Sequence, residues 1–194
     1  MITSVGYLSF PAQVVTHWGA KGEPNGSMSR DFNAVFMVGL ICFTYGILKF
    51  SIKADPQRAN IDKLGNAYEW LIAYMMGFFV GVNLFVTLWN LGYQVNVAYF
   101  FTPLISGLFI VIGLMLSKVE RNYTIGIKTP WTLADDYVWK KTHELGAKLF
   151  VIAGLIGLLG LLIVDYAFIF MLVPIFVVVI VLFAYSYYVY RKRK

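Results

Sequence analysis

One stretch decides the fold of this chain: residues 70–117, which read WLIAYMMGFFVGVNLFVTLWNLGYQVNVAYFFTPLISGLFIVIGLMLS. The stretch contains no Asp, Glu, Lys or Arg. A transmembrane helix needs about 20 consecutive apolar residues. The stretch is therefore long enough for two consecutive membrane-spanning helices, with a break near Leu91–Asn96.

Three more charge-free runs predict three more spans. They cover Phe32–Leu48, Leu149–Val164 and Tyr166–Tyr190. The chain is 59% hydrophobic and 13% charged, whereas a soluble domain carries about 25% charged residues. These observations predict an all-α, polytopic membrane helical bundle. Its five transmembrane helices are expected at about Asn33–Phe50, Tyr68–Leu91, Val97–Leu116, Ala147–Val164 and Ala167–Tyr190.

The basic residues predict the orientation of the bundle in the cell membrane. Lys and Arg accumulate on the cytoplasmic side of membrane proteins. Of the 16 Lys and Arg residues, all but Lys21 and Arg30 fall after the first span, in or beside the loop after the third, or at the C-terminus. The prediction is a multi-pass protein with three parts: an extracellular segment 1–32, a transmembrane domain 33–190 and a basic cytoplasmic tail 191–194. The loop at 117–148 is also expected in the cytoplasm.

The first ten residues are apolar but too short to cross a membrane. Two interpretations of Met1–Phe10 are open. The segment lies at the membrane interface, or it is the end of a spanning helix whose beginning precedes Met1. In the second case the bundle has six spanning helices and the other assignments stay unchanged.

The segment that follows is rich in Pro and Gly, which are typical of tight turns. It is expected to form a compact extracellular loop with a turn at Asn25-Gly26. Its candidate binding residues are Pro11, His17, Trp18, Gly22 and Pro24. The alternative is a loop at the membrane interface that Trp18 anchors.

A polar stripe runs along the second span. Glu69, Asn83 and Asn90 recur at multiples of seven residues, and at about 3.6 residues per turn they share one helix face. One interpretation is a polar path, which would make the protein a small transporter or permease. The other is contact between helices through Asn83, with Glu69 and Asn90 at the two membrane surfaces.

The loop after the third span combines aromatic and polar residues. Thr129 precedes Pro130 and is expected to be extended. The pair Thr132 and Asp135 has the spacing of a capping box. We therefore expect a short helix over Leu133–Leu145 that lies along the cytoplasmic membrane surface.

The sequence predicts neither an enzyme nor a metal or cofactor site. His143 is not followed by the second His of a zinc protease helix, and no nucleophile and base stand together. The one cysteine, Cys42, lies inside the first span and cannot form a disulfide framework. A structural or recognition role is expected for His143.

One segment resembles a known family. It reads NYTIGIKTPWTL over residues 122–133, followed by Val138-Trp139, Thr142-His143 and Gly146. This pattern closely resembles the signature of the SdpI family of bacterial immunity membrane proteins. The outer pattern Pro11…His17…Gly22-Glu23-Pro24 is similar to a domain of unknown function that often precedes the signature.

The resemblance implies two roles at the membrane. The first is resistance to a secreted peptide toxin, which the outer segment or the spans would meet. The second is binding of a winged-helix autorepressor by the cytoplasmic loop, without direct contact to nucleic acid. That loop is expected to recognise its partner through Asn122, Gly126, Lys128, Thr129, Pro130, Trp131, Thr132, Trp139, Thr142 and His143, unless it is a structural latch between the third and fourth spans.

Overall fold

The computed structural model describes residues 7–19 and 21–193. Five helices are long and apolar enough to cross a membrane. They are α1 (Arg30–Ala54), α3 (Asn66–Asn90), α4 (Val97–Leu116), α6 (Asp136–Leu159) and α7 (Ala167–Arg193). The predicted class and the five spans are confirmed. Two short helices, α2 (Arg58–Asp62) and α5 (Pro130–Ala134), and two strands, β1 (Gln13–Trp18) and β2 (Pro24–Ser29), complete the larger elements.

Helix α6 packs between α4 and α7, and these three helices form the tightest part of the bundle. Small residues permit the close approach. A Cβ atom on Gly154 would lie 2.6 Å from the carbonyl oxygen of Ser106 on α4, and one on Gly160 would lie 2.9 Å from the Cα of Ala167 on α7. Within a bilayer the hydrophobic effect does not drive helices together, so close packing of their backbones at small residues stabilises the contact instead. Helix α1 packs mainly on α3 and leaves most of its surface exposed.

The antiparallel helices give the bundle two distinct ends. The hairpin end holds β1, β2 and the turns that join α3 to α4 and α6 to α7. The basic end holds α2, α5 and the loop before α5. The basic tail expected at 191–194 is not a separate segment as far as the structure describes it, because residues 191–193 form the last turn of α7.

The outer segment forms a β-hairpin, so the expectation of a loop built from turns is wrong for residues 13–18 and 24–29. Strand β1 pairs with β2 in antiparallel register, with Gln13 opposite Ser29 and Val15 opposite Ser27. The predicted turn at Asn25-Gly26 is also wrong, since both residues lie within β2. The chain reverses before them, where Gly22 adopts a φ of 83°. The prediction for Met1–Phe10 falls largely on residues 1–6, outside the described part of the chain.

The helix expected over Leu133–Leu145 has different bounds. Thr129 is extended, as predicted, and it caps α5 through a capping box with Thr132. Asp135 is extended too, with φ −146° and ψ 125°, and therefore ends α5 and begins α6. The side chain of Asp135 accepts hydrogen bonds from the backbone of Tyr137 and Val138. The predicted Thr132–Asp135 capping box is therefore wrong, and residues 136–145 form the first turns of the fourth span.

Candidate functional site

The loop between α4 and α5 is built on an internal turn at Asn122, which is fully buried. Its Oδ1 accepts hydrogen bonds from the backbone N–H groups of Thr124 and Ile125, at 2.9 and 2.7 Å. Its Nδ2 donates to the carbonyl oxygen of Glu120 at 2.8 Å. Asn side chains commonly stabilise turns by such local bonds. The geometry gives Asn122 a structural role.

Asp55, at the end of α1, binds this turn from a distant part of the chain. Its Oδ2 accepts from the backbone N–H of Tyr123 at 2.9 Å and from the Thr124 hydroxyl at 2.7 Å. Its Oδ1 accepts from the backbone N–H of Gln57 at 2.7 Å. Burial alone would raise the pKa of Asp55, but these hydrogen bonds to the carboxylate hold the pKa below its usual value. Sequence reasoning missed this residue, because nothing local marks an aspartate whose partners lie 68 and 69 residues away.

The imidazole of His143 joins the loop to α6. The backbone N–H of Ile127 donates to Nε2 at 2.9 Å, and Nδ1 lies 2.8 Å from the carbonyl oxygen of Trp139. A carbonyl can only accept, so Nδ1 carries the proton and Nε2 is the acceptor. The ring is therefore neutral, uses both nitrogens, and is only 2% exposed. It is held as a structural hydrogen-bonding group.

Two neighbours complete this contact. The Trp139 ring stacks on His143 with centroids 4.1 Å apart, and its Nε1 donates to the carbonyl oxygen of Val119 at 2.8 Å. Gly126 has a φ of 122°, and a Cβ atom there would clash with His143 Nε2. Only glycine combines that backbone conformation with so close an approach.

The threonine pair at the start of α5 fastens the loop to α7. The Thr132 hydroxyl donates to the carbonyl oxygen of Ile127 at 2.8 Å. The Thr129 hydroxyl donates to the Ser186 hydroxyl at 3.1 Å, and all three of these hydroxyl residues are buried. Trp131 packs its ring on Phe183 and Tyr187 of the same helix.

These contacts define what we call the latch: residues 118–132 together with Asp55, Trp139, His143 and Ser186. The structure brings together most residues predicted for a recognition loop, but it does so by burying them. The buried ones are Asn122, Thr129, Thr132, Trp139, Thr142 and His143, whereas Lys128 and Pro130 are exposed. Of the two alternatives, the geometry favours the structural latch between the third and fourth spans.

The hairpin is held on the end of α3 by Asn90. Its amide donates to the carbonyl oxygen of Val15 and accepts from the Val15 backbone N–H, both at 2.9 Å. Val14 beside it is fully buried against Phe10 and Val86. A side-chain amide that pairs with both backbone groups of a strand acts as an extra strand residue. The hairpin is therefore a fixed part of the bundle.

The polar stripe of α3 does not form one continuous path. Glu69 is exposed and pairs with Lys49 of α1 at 2.6 Å. Asn90 is engaged by the hairpin, about 30 Å away along the helix axis. Asn83 lies between them and is buried. The three residues therefore lie in three separate environments along α3.

A cavity of about 790 Å³ lies at the hairpin end, between the hairpin, the first turns of α4 and the start of α7. Ligand cavities in proteins typically measure about 300–1,000 Å³. The apolar part of its wall comes from Val82, Val97, Ala98, Phe101, Ile105, Phe168 and Met171, and the polar part from Thr16, His17, Lys21, Asn96, Thr102 and Asp165.

Three polar groups of this cavity have no ion pair or hydrogen bond to the described residues. Within residues 7–19 and 21–193, neither Lys21 nor Asp165 makes an ion pair. The Nε1 of Trp18 is buried and has no hydrogen-bond partner in the same part of the chain. A buried donor without a partner costs about 1–3 kcal/mol. The predicted residues His17, Trp18 and Gly22 line this cavity, whereas Pro11 and Pro24 do not.

The fold and these two ends define a class: a polytopic helical membrane protein with a cavity at one end and a buried latch at the other. Residues 118–186, which include the latch loop, match the model of the SdpI/YfhL protein family. Residues 1–43 match the model of a domain of unknown function, DUF1648. The family resemblance found in the sequence is confirmed.

One relative matches along almost the full length. The chain is 25% identical over 190 residues to the protein named Immunity protein SdpI of Bacillus subtilis (strain 168). The alignment covers 96% of this chain and 87% of the relative. No solved structure matches the chain.

Proposed function

We propose that this is a membrane immunity protein that protects the cell producing it from a secreted peptide toxin. The observation that carries the proposal is the cavity at the hairpin end, together with the similarity to Immunity protein SdpI over nearly the whole chain. The hairpin end faces the outside, because 13 of the 15 basic residues in the described part of the chain lie towards the other end. A toxin that arrives from outside meets the cavity first.

The lining of the cavity suits an amphipathic peptide. Phe101, Phe168 and Met171 present apolar surface to apolar side chains. Lys21 and Asp165 are free within the described part of the chain to pair with charges on the peptide. Binding the toxin here would keep it from the lipid bilayer.

Survival of toxin-sensitive cells tests the proposal. Wild type is expected to raise the toxin concentration that stops growth well above that of an empty vector. Ala98→Trp, which fills the cavity, should return it close to the empty vector at equal membrane expression. Tyr99→Trp is the matched control, since Tyr99 is 56% exposed, is not part of the cavity lining, and should protect like wild type.

Two results would overturn the proposal. If wild type protects no better than an empty vector, the immunity function is wrong. If Ala98→Trp protects like wild type, the toxin is not bound in this cavity.

A charge test separates recognition from packing: Asp165→Asn should weaken protection, whereas Glu23→Gln should not, because Glu23 is a carboxylate at the same end outside the cavity lining.

A second role at the basic end is part of the proposal: docking of a winged-helix autorepressor at the cytoplasmic surface. The support is the family resemblance and the exposure of three residues at the basic end, Pro130, Tyr137 and Lys140. Most other signature residues are buried in the latch and are unavailable for docking. A repressor fused to a fluorescent protein should move to the membrane with wild type and return to the cytoplasm with Tyr137→Ala plus Lys140→Glu. Repressor fluorescence that stays in the cytoplasm with wild type would refute this role.

A further inference from the structure

A second cavity, of about 580 Å³, lies at the basic end between α1 and the pair α4 and α6. We call it the inner crevice. Among its lining residues are Ile47 of α1, Leu71 of α3, Ile112 and Leu116 of α4, and Phe150 of α6. Residues 123–128 of the latch close it at the membrane surface.

The crevice exists because α1 stands apart from α4 and α6. Among the spanning helices, α1 packs mainly on α3. The latch residues then bridge the gap at the end, where Thr124 bonds both Asp55 and the carbonyl oxygen of Ser51. Below this bridge the walls are almost entirely apolar, and the polar Tyr68 hydroxyl is already bonded to the carbonyl oxygen of Leu48. Apolar walls at membrane depth are suited to a hydrocarbon chain.

Lys128 stands at the rim of the crevice. Its Nζ donates to the carbonyl oxygens of Tyr123 and Thr124, at 2.9 and 3.1 Å. An ammonium group has three N–H donors, so one remains unused by these bonds. No carboxylate within residues 7–19 and 21–193 forms an ion pair with it. A positioned cation above an apolar crevice complements a molecule with an anionic head and a hydrocarbon tail.

We propose that the inner crevice binds one anionic phospholipid of the cytoplasmic leaflet. The acyl chain lies between α1 and α4, and the phosphate pairs with Lys128. Basic pockets between spanning helices on the cytoplasmic side are known to bind anionic head groups. The lipid fills the space between α1 and the rest of the bundle and so fixes the position of α1.

Photo-crosslinking in nanodiscs tests where the lipid lies. The probe is phosphatidylglycerol with a photoactivatable group near the end of one acyl chain. Adducts are expected on the residues that line the crevice on its two sides, Ile47, Leu48 and Ser51 of α1 and Ile112 and Leu116 of α4. Adducts spread only over the outward surfaces of α1 and α7 would overturn the proposal. A crosslinked second copy of the chain across the crevice would overturn it as well, because a protein would then be the occupant.

Native mass spectrometry tests the head group. Wild type should retain one phosphatidylglycerol more firmly than one phosphatidylcholine. Lys128→Gln, which keeps a donor but removes the charge, should weaken phosphatidylglycerol retention about 5-fold, since a lysine near an anionic membrane surface contributes about 1 kcal/mol. Lys53→Gln is the matched control, because Lys53 is an exposed lysine at the same end that does not line the crevice, and it should behave like wild type. Equal retention by Lys128→Gln and Lys53→Gln would refute the assigned head-group contact.

A crevice-filling variant tests the acyl chain. Ile112→Trp should reduce the retention of both lipids, because the added ring occupies the space of the chain. Its thermal unfolding in detergent is measured in parallel, and the test uses the variant only if that unfolding stays cooperative. A cooperative Ile112→Trp protein that retains phosphatidylglycerol like wild type would exclude the crevice as the binding place.

Discussion

Gly126→Ala is the substitution that most directly tests the latch. Gly126 has a φ of 122°, which L-residues avoid. An added Cβ would clash with His143 Nε2 and lie 3.0 Å from a ring carbon of Trp139. The methyl group therefore strains the backbone and pushes His143 away from the N–H of Ile127. Both effects act on the same contact between the latch and α6.

The magnitude follows from these two costs. A left-handed backbone costs an L-residue about 1–2 kcal/mol, and overpacking a filled site costs about 1–3 kcal/mol. We expect Gly126→Ala to lower the free energy of unfolding by about 2–5 kcal/mol. Two control substitutions separate the costs. Gly92 has a φ of 93° and no atom near its Cβ position, so Gly92→Ala carries only the cost of backbone strain. Gly77 lies in a helix with open space at its Cβ position, so Gly77→Ala carries neither cost.

The assay is equilibrium unfolding in mixed micelles titrated with sodium dodecyl sulfate, followed by the fluorescence of the five tryptophans. Gly77→Ala is expected to be the most stable of the three variants, Gly92→Ala less stable, and Gly126→Ala the least stable. A double-mutant cycle with His143→Ala isolates the clash. In that background the cost of Gly126→Ala should fall, since the imidazole is gone. If the cost is the same with and without His143, or no larger than that of Gly92→Ala, the described packing is wrong.

Three further predictions concern single contacts. Asp55→Asn should lower the free energy of unfolding by about 1–3 kcal/mol at neutral pH, because a charged acceptor of three hydrogen bonds is lost. The pKa of Asp55 is lower in the folded state than in the unfolded chain. This stabilisation is therefore present above the unfolded pKa of about 3.9 and is lost as the pH falls through the folded pKa. Unfolding measured at decreasing pH should show the difference between wild type and Asp55→Asn shrinking below about pH 4. Trp139→Phe should cost about 1 kcal/mol in the same assay by removing the hydrogen bond to Val119. Asn90→Leu should free the hairpin from α3, which limited proteolysis would detect as faster cleavage near Val15.

The first two of these predictions have matched controls. Asp62→Asn removes an exposed carboxylate that pairs with Arg58 on its own helix, and should leave the pH profile unchanged. Tyr137→Phe alters an exposed ring at the basic end and should cost less than Trp139→Phe. If Asn90→Leu is cleaved at the wild-type rate, the amide does not hold the hairpin.

Parts of the fold were within reach of sequence reasoning. A bilayer offers the backbone no hydrogen-bond partners, so each span must satisfy its own polar groups as a helix. Each span meets that requirement within its own segment, so the length of the charge-free run is enough to predict the two spans in residues 70–117. The bounds were less accurate where local signals compete. Thr132 and Asp135 have the spacing of a capping box, yet Thr129 caps α5 and Asp135 caps α6.

The sequence by itself determined the membrane class, the five spans, the segregation of positive charge and the resemblance carried by residues 122–146. Only the tertiary structure decided which contacts the residues of that signature make. Asp55 meets Thr124, and Thr129 meets Ser186, across 69 and 57 residues of chain. Such pairs form because the packing of α1, α6 and α7 brings them within about 3 Å, and no local periodicity encodes that distance. Burial then turns residues that look suited to recognition into the hydrogen-bonded latch.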